Sequence, residues 1–232
     1  MRAYWDERAR LNAAYYVDTS LTYDDPDMEK FWSQGEAIVR YAVDDAPVAV
    51  PKAGTALEIG CGLGRNLRAL SARFGHVVGV DISEEMLTRA REVVGPRVEL
   101  QRGDGVTLQP VADASIDFVL SFTVLQHIPD PAVIAAYVHE TGRVLRPGGF
   151  AVLQWNGSRG SAVGWALRRR ALALRSRLGR SPDGYGREVP EFLGSRVPLP
   201  RMRRMLTEAG LEVRSIANAG SLYSCVWVQR PA

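Results

Sequence analysis

The chain has 232 residues, of which 46% are apolar and 24% are charged. This composition suits one soluble α/β domain with a full hydrophobic core, so a second domain is not required. No apolar run approaches the roughly 18 residues of a membrane span, and residues 1–8 lack the apolar core of a signal peptide. We therefore expect a cytoplasmic protein without stable membrane insertion.

The distribution of charge and the number of cysteines indicate possible binding partners and the redox compartment of the protein. The net charge is +3, yet the segment between Glu140 and Asp183 holds no acid and nine arginines. This arginine patch has two alternative interpretations. It is either a solvated face with a biased composition, or a surface that contacts an anionic substrate, a membrane surface or nucleic acid. The two cysteines, Cys61 and Cys225, indicate a reducing compartment rather than a disulfide framework.

Residues 1–46 precede the first predicted strand and are rich in aromatic side chains, including Tyr15 and Tyr16. Residues 27–43 have the apolar spacing of an amphipathic helix. Such a segment either closes over a substrate or covers an exposed sheet edge, and the sequence leaves both possibilities open. We interpret residues 1–46 as an N-terminal helical cap and 47–232 as the core domain.

Short apolar runs alternate with helical periodicity along the core. The predicted strands of its first part are 55–61, 77–82, 98–102, 116–122 and 150–155. The predicted helices between them are 66–74, 84–94 and 131–145, the last ended by Pro147-Gly148-Gly149. This alternation predicts a doubly wound α/β fold with a mostly parallel sheet and right-handed crossovers.

The rest of the chain departs from simple alternation. An insertion at 157–200 carries an apolar stripe at helical spacing among arginines, formed by Val163, Leu167, Ala171, Leu174 and Leu178, and then a loop at 181–186. A helix at 201–209 and strands at 211–217 and 222–229 follow. The Asn218-Ala219-Gly220 turn predicts an antiparallel hairpin, so the last strand is reversed. The insertion should overhang the ligand site.

The glycine-rich loop after the first strand is the strongest functional signal. Gly60, Gly62 and Gly64 allow the backbone to approach a ligand where a Cβ would collide. Asp81 ends the second strand, where such a sheet presents a carboxylate to a ribose diol. The spacing differs from the G-x-G-x-x-G of dinucleotide-binding loops, and Glu58 would repel a phosphate. A nucleoside with a cationic group fits better.

The run Leu57 to Arg65 resembles the first motif of class I S-adenosylmethionine-dependent methyltransferases. Further segments match that family in order: Gly79-Val80-Asp81-Ile82-Ser83, Gly103-Asp104-Gly105, Asp117-Phe118-Val119-Leu120-Ser121 and Arg143-Val144-Leu145-Arg146-Pro147-Gly148-Gly149. The resemblance covers residues 55–155. It implies S-adenosylmethionine as cofactor and a seven-stranded, Rossmann-like methyltransferase fold with a reversed last strand.

The resemblance also implies a set of cofactor contacts. These residues are Glu58, Gly60, Gly62, Gly64, Asp81, Ile82, Met86, Asp104 and Gly105. Glu58 would hold the ammonium group directly or through water, and Asp81 would accept from both ribose hydroxyls. Ile82 and Met86 would sandwich the adenine. Asp104 would accept from its exocyclic amine, although Gly-Asp-Gly also suits a plain turn.

His127 is the candidate catalytic residue. An alcohol or phenol acceptor loses a proton during attack, and a histidine titrating near neutral pH is the usual base. His127 follows the fourth strand, at the rim where the methyl group should lie; a loop-shaping role is the alternative. His76 and His139 are expected to be structural or exposed. Candidate contacts to the acceptor are Tyr15, Tyr16, Trp155 and Asn156, and no metal is expected.

These features lead to one main hypothesis and several alternatives. The main one is an S-adenosylmethionine-dependent O-methyltransferase that acts on a hydroxyl of a small metabolite, either a sugar or oligosaccharide or a natural product. N- or C-methylation is the alternative, for which His127 would be dispensable. Nucleic acid is not expected as a partner, because the arginine patch has little aromatic character beyond Trp165 and no binding motif. Intact motifs disfavour a non-catalytic regulator.

Overall fold

The computed structural model describes residues 1–158, 162–177, 185, 187 and 189–232. Its strands are β1 Thr55–Ile59, β2 His76–Asp81, β3 Val98–Arg102, β4 Ile116–Ser121, β5 Leu145–Trp155, β6 Glu212–Ala217 and β7 Ser224–Gln229. Its helices are α1 Arg2–Val17, α2 Met28–Val39, α3 Arg65–Ser71, α4 Glu84–Arg91, α5 Pro131–Val144, α6 Ala162–Arg177, α7 Pro190–Leu193 and α8 Leu199–Glu208. A π-helical turn follows α2 at Arg40–Asp44, and a 3-10 turn lies at Leu125–His127.

The strands form one seven-stranded sheet in the order β3-β2-β1-β4-β5-β7-β6. Strands β1 to β5 are parallel, and β7 runs antiparallel to both β5 and β6. This confirms the predicted doubly wound, mostly parallel sheet with a reversed last strand. Ile59 pairs with Val80, so the glycine loop after β1 and Asp81 at the end of β2 lie side by side.

The sheet is buried on both faces, because helices pack on each side of it. Successive side chains of a strand point to opposite sides, so they enter different cores. Leu57 and Val78 lie in the core shared with α5 and α8. Their neighbours Ala56 and Val77 lie in the core shared with α2 and α3. This double burial explains why the central strands are apolar almost throughout.

Residues 1–46 are largely helical, as predicted, and α1 is a second helix before the one predicted at 27–43. The helix is interrupted at Asn12, where the backbone is extended. The Oδ1 of Asn12 accepts a hydrogen bond from the backbone N–H of Tyr15 at 3.0 Å, so it caps the second half of the helix. Ala9, Phe31 and Met86 pack in a small core that joins α1, α2 and α4.

Two predicted boundaries differ from the structure. Helix α5 ends at Val144, before Pro147-Gly148-Gly149, and β5 already begins at Leu145. The residue before a proline avoids the α conformation, so the helix stops early. The Pro-Gly-Gly segment becomes an irregularity of β5, where the pairing with β4 shifts register.

The predicted apolar stripe of the insertion lies partly on α6. Leu167 and Leu174 are each 60% exposed, and Ala171 is exposed as well. The side chain of Val163 and all of Leu178 lie outside the described residues, as does the predicted 181–186 loop apart from Tyr185.

Candidate active site

A cleft opens at the carboxyl edge of β1, β2 and β4, next to the glycine loop. The residues that line it are Met1, Trp5, Tyr16, Val17, Ile59, Gly60, Gly62, Val80, Asp81, Ile82, Met86, Gly105, Thr123, Val124, His127, Ile128 and Tyr137. The structure therefore brings together many of the predicted site residues from distant parts of the sequence. Among these lining side chains, Asp81 is the one carboxylate, and neither lysine nor arginine occurs.

The glycine loop leaves open space at the cleft because it lacks side chains. Gly60 and Gly62 have φ angles of 71° and 52°, in the left-handed region that favours glycine. A Cβ on Gly60 would collide with the side chain of Val124. Gly64, with φ of 81°, is the N-cap of α3 and does not line the cleft. The first two glycines thus expose backbone to a ligand, whereas the third starts a helix.

Asp81 is held in place by the loops on either side of it. One carboxylate oxygen accepts from the N–H of Gly62 at 2.8 Å, and the other accepts from the N–H of Ser83 at 2.8 Å. Burial raises the pKa of Asp81, and the hydrogen bonds from these two amides oppose that shift. Each oxygen retains acceptor capacity, so the carboxylate can receive a pair of hydroxyl groups from the cleft.

Glu58 lies beneath the loop rather than in the cleft wall. Its Oε1 accepts a hydrogen bond from Asn66 Nδ2 at 2.8 Å, while its Oε2 is buried and has no hydrogen-bond partner among the described residues. Burial raises the pKa of Glu58 to about 8, although the Asn66 hydrogen bond acts in the other direction. A buried acceptor of this kind fits a cationic donor that arrives with a ligand.

The remaining predicted cofactor contacts divide into two groups. Ile82, Met86 and Gly105 line the cleft. The carboxylate of Asp104 instead accepts from the backbone N–H groups of Val106 and Thr107, both at 2.7 Å, and closes its own turn. Asp104 therefore stabilises the turn, and its side chain is not part of the cleft wall.

Helix α1 lies across the carboxyl edge and forms one wall of the cleft. Asp6 accepts from the hydroxyl of Ser83 at 2.7 Å and from the N–H of Glu85 at 3.3 Å, so it anchors α1 at the start of α4. The adjacent residue, Trp5, makes an edge contact between its indole and the imidazole of His127 at a centroid distance of 5.6 Å. The N-terminal segment thus contacts both the nucleoside side and the histidine side of the cleft.

A buried ion pair attaches the chain after α1 to the glycine loop. Arg65 directly follows Gly64, and its Nη1 donates to the carboxylate of Asp18 at 2.9 Å. The two side chains are only 5% and 10% exposed. The guanidinium also lies 5.3 Å from the ring centre of Phe31. This contact explains why a long cationic residue ends the glycine motif.

A chain of amide hydrogen bonds fixes the state of His127. The N–H of Thr123 donates to Oε1 of Gln154, whose Nε2 donates to Oε1 of Gln126 at 2.9 Å. The amide nitrogen of Gln126 therefore faces Nε2 of His127, 3.1 Å away. The Nδ1 of His127 contacts the carbonyl of Phe192 and must carry the proton. Burial lowers the pKa of His127, and this carbonyl partly opposes the shift.

The predicted acceptor contacts divide in the same way as the cofactor contacts. Tyr16 lines the cleft, and Tyr15 packs behind it in a cluster with Tyr23 and Tyr185. Trp155 is fully buried and donates from its indole nitrogen to the carbonyl of Val197 at 2.9 Å.

Asn156 is also buried, and its Oδ1 accepts from Ser158. Trp155 and Asn156 are therefore not at the cleft, because a position at the end of a strand does not determine which way its side chain points. We do not assign these two residues to the acceptor site.

The sequence reasoning did not assign a role to Trp5 or single out Tyr137 as a cleft residue. Tyr137, on α5, lines the cleft. Burial raises its pKa well above the ordinary range, and the nearby carboxylates of Asp104 and Asp81 add to the shift. The described residues contain no group of three or more potential metal ligands. No helix in the described ranges is both long and apolar enough to cross a bilayer.

At the cleft, Asp81 presents a carboxylate, and Ile82 and Met86 present apolar surface. The unpartnered oxygen of Glu58 is buried beneath the glycine loop beside them. The strand order with the reversed β7 is that of the class I S-adenosylmethionine-dependent methyltransferase fold.

Comparison with known proteins gives a family match for part of the chain. Residues 57–153 match the family model described as a methyltransferase domain. The chain is 33% identical to 2-methyl-6-phytyl-1,4-hydroquinone methyltransferase from Synechocystis over 139 residues. This matched region covers 58% of the chain and 43% of that protein. The chain is 35% identical over 135 residues to trans-aconitate 2-methyltransferase from Azoarcus, which covers 57% and 50%.

A solved structure supports the same fold. The chain resembles the S-adenosylmethionine-bound amino pentose methyltransferase CalS10 of Micromonospora echinaspora, with a TM-score of 0.60 and 19% identity over 86% of this chain and 91% of that one. At this identity the likeness concerns the fold. The chain spans about half or less of the length of the two curated relatives named above.

Proposed function

We propose that the protein transfers the methyl group of S-adenosylmethionine to a hydroxyl oxygen of a small, uncharged acceptor that carries an apolar ring. The observation that carries this proposal is the cleft itself. Its cofactor side has the glycine loop and Asp81, and its other side consists of Trp5, His127, Thr123 and further apolar or aromatic side chains. Of the two acceptor classes expected from the sequence, this lining favours a natural-product ring over a sugar.

In this proposal, the residues on the β1 and β2 side hold the cofactor. Asp81 accepts from the ribose hydroxyls, the backbone of Gly60 and Gly62 lies along the methionine portion, and Glu58 receives the ammonium. When bound, S-adenosylmethionine supplies an electrophilic methyl group on a sulfonium with a good leaving group. Much of the rate then comes from alignment of the acceptor, an effect that reaches about 7–11 kcal/mol in well-oriented systems.

The acceptor side of the cleft includes the candidate base. His127 is neutral because its pKa is lowered by burial, so its Nε2 lone pair is available for a proton once the Gln126 amide gives way. An acceptor hydroxyl that replaces this amide would donate to Nε2 and lose its proton during attack. Trp5 would pack on the ring of the acceptor beside His127. We assign residues 1–46 to a cap over this side of the cleft.

The test is methyl transfer from isotopically labelled S-adenosylmethionine to a panel of phenols, hydroxylated ring systems and sugars. We expect transfer to oxygen of a phenol or hydroxylated ring, and a reduction of about 100-fold or more in kcat for His127→Ala. His76→Ala is the matched control, because His76 lies on an exposed strand end and pairs with Glu99. Turnover of an oxygen acceptor that is unchanged in His127→Ala removes the base assignment.

One observation favours C- or N-methylation as the second candidate. Both ring nitrogens of His127 are engaged within the protein, Nε2 by Gln126 and Nδ1 by Phe192. A nucleophile that is reactive without a base would leave this arrangement intact. The relative from Synechocystis is named for a phytyl hydroquinone, an apolar ring that suits the same lining. Product analysis by mass spectrometry and NMR distinguishes a methyl group on carbon or nitrogen from one on oxygen.

A further inference from the structure

Helix α6 presents an apolar ridge to solvent. Leu167 and Leu174 each keep 60% of their surface exposed. They are seven residues apart, so they lie two turns apart on one face of the helix, and Ala171 between them is exposed too. Large exposed apolar side chains grouped on one face indicate a surface that binds something.

The opposite face attaches α6 to the rest of the protein. Trp165 and Leu172 are half-buried there, and the guanidinium of Arg196 lies 4.2 Å from the centre of the Trp165 ring. At 3.6 residues per turn, this face is about 160° away from Leu167 and Leu174 around the helix. The two leucines therefore point away from the protein body.

The charge of α6 is entirely positive. The helix contains five arginines and no acid, and the nearest acids in the sequence are Glu140 and Asp183. Arg170 and Arg175 are exposed, one on each side of the leucine ridge. An apolar ridge between arginines complements the interface of an anionic bilayer, because leucines enter the acyl boundary while guanidinium groups meet headgroup phosphates.

A second exposed apolar surface lies at the carboxyl edge of the sheet. Leu222 and Tyr223, in the loop that follows β6, are 42% and 52% exposed. Strand β6 runs parallel to β1 to β5, so this loop lies at their carboxyl edge. The carbonyl of Ser221 accepts from the N–H of Gly157 at 2.9 Å, shortly before α6 begins. Both surfaces therefore lie at the edge that carries the cleft.

We propose that α6 and the loop at 218–223 form a surface that binds peripherally to anionic lipid bilayers, with the carboxyl edge of the sheet turned towards the membrane. Nucleic acid fits this surface less well, because leucines rather than stacking aromatic rings occupy its centre. A second copy of the chain fits less well too, because a two-fold contact would bring arginines against arginines. The proposal does not depend on the methyl acceptor.

The test is co-sedimentation with vesicles, with the purified full chain. We expect binding to vesicles of equal parts phosphatidylcholine and phosphatidylglycerol, much weaker binding to pure phosphatidylcholine, and a decrease with added salt. Leu167→Ser/Leu174→Ser should lower the partition coefficient about tenfold. Arg170→Gln/Arg175→Gln should lower it roughly 25-fold, which is about fivefold for each arginine.

Matched controls come from the opposite edge of the sheet. Val93 is 40% exposed just after α4, and Arg89 and Arg91 lie on the last turn of that helix. Val93→Ser and Arg89→Gln/Arg91→Gln should bind vesicles as the unchanged protein does, and circular dichroism should show that every variant is folded.

Three results would overturn the proposal: no binding of the unchanged protein to the mixed vesicles, equal binding to both vesicle types, or unchanged binding in the leucine variant. Retention of RNA or DNA that requires Arg170 and Arg175 but not the leucines would assign the surface to nucleic acid instead. A dimer that dissociates in the leucine variant would assign it to a second copy.

Discussion

The side-chain amide of Gln126 donates to Nε2 of His127 over 3.1 Å, and its orientation is determined by Gln154 on the neighbouring strand. Because this donor stabilises the neutral imidazole, it adds to the effect of burial, which already lowers the pKa of His127. The state of the candidate base therefore depends on residues that do not line the cleft.

This relationship predicts the effect of Gln126→Glu. A carboxylate at this position favours the protonated imidazole, so the pKa of His127 should rise in the variant. The chain has three histidines, so their ring protons can be followed individually by NMR during a pH titration. Gln109→Glu, on an exposed loop, should leave the titration of His127 unchanged. An unaltered titration in Gln126→Glu would show that the Gln126 amide does not control His127.

Asp81→Asn should weaken the binding of S-adenosylmethionine. An amide offers one acceptor oxygen instead of two, and hydrogen bonds to a charged group contribute about 1.5–3 kcal/mol, which corresponds to roughly 10- to 150-fold in Kd. Isothermal titration calorimetry measures this loss without any acceptor. Asp24→Asn, at an exposed position before α2, is the control. An Asp81→Asn variant that is folded and binds as tightly as the unchanged protein argues against the ribose assignment.

The stability of the ligand-free protein should depend on the ionisation of Glu58. Burial raises its pKa from 4.5 to about 8 in the folded state. Its contribution to the free energy of unfolding is therefore fully present below about pH 4.5 and is lost as the pH rises towards 8. Urea denaturation of the unchanged protein should show that its free energy of unfolding falls by a few kcal/mol, in order of magnitude, as the pH rises through this range. In Glu58→Gln this fall should be absent. Glu84→Gln, on the exposed face of α4, should keep the pH dependence of the unchanged protein.

Breaking the ion pair between Arg65 and Asp18 should destabilise the protein. Removal of one partner leaves a buried charge without compensation, which costs about 3–5 kcal/mol. We expect a loss of this size for Arg65→Met in urea denaturation, and a smaller loss in the double variant with Asp18→Asn than the sum of the two single losses. The exposed pair of Arg91 and Glu84 is the control and should contribute no more than about 1 kcal/mol.

Trp5→Ala separates the two roles considered for residues 1–46. If α1 contacts the acceptor, the variant should have a lower kcat/KM for the acceptor identified in the labelling panel and an unchanged Kd for S-adenosylmethionine. Leu11→Ala is a matched control on the same helix, because Leu11 is 54% exposed and does not line the cleft. Equal kinetics in both variants would favour simple coverage of the sheet edge.

The core of the fold could be predicted because its signals are local. Gly60, Gly62 and Asp81 stand at the ends of strands whose apolar runs are short and clearly bounded, so their place at one sheet edge follows from topology alone. The reversed β7 follows in the same way from the turn at 218–220.

The acceptor side of the cleft could not be predicted, because it depends on contacts between distant segments. Trp5 contacts His127 while the adjacent Asp6 binds Ser83, 77 positions further along the chain. The sequence pattern within α1 does not predict that contact. Trp155 shows the opposite case: the sequence predicts its position at the end of β5, but its side chain faces the core, which a strand end does not reveal.

The two walls of the cleft come from segments of different kinds. The nucleoside wall belongs to residues 57–153, which match the methyltransferase domain, whereas Trp5 and Tyr16 precede that region. Asp6 anchors the preceding segment to the domain by hydrogen bonds from Ser83 and Glu85, and Asp18 anchors it by the ion pair with Arg65. Under the proposed function, exchange of this segment between relatives by recombination is expected to alter which molecules are accepted while residues 57–153 are inherited intact.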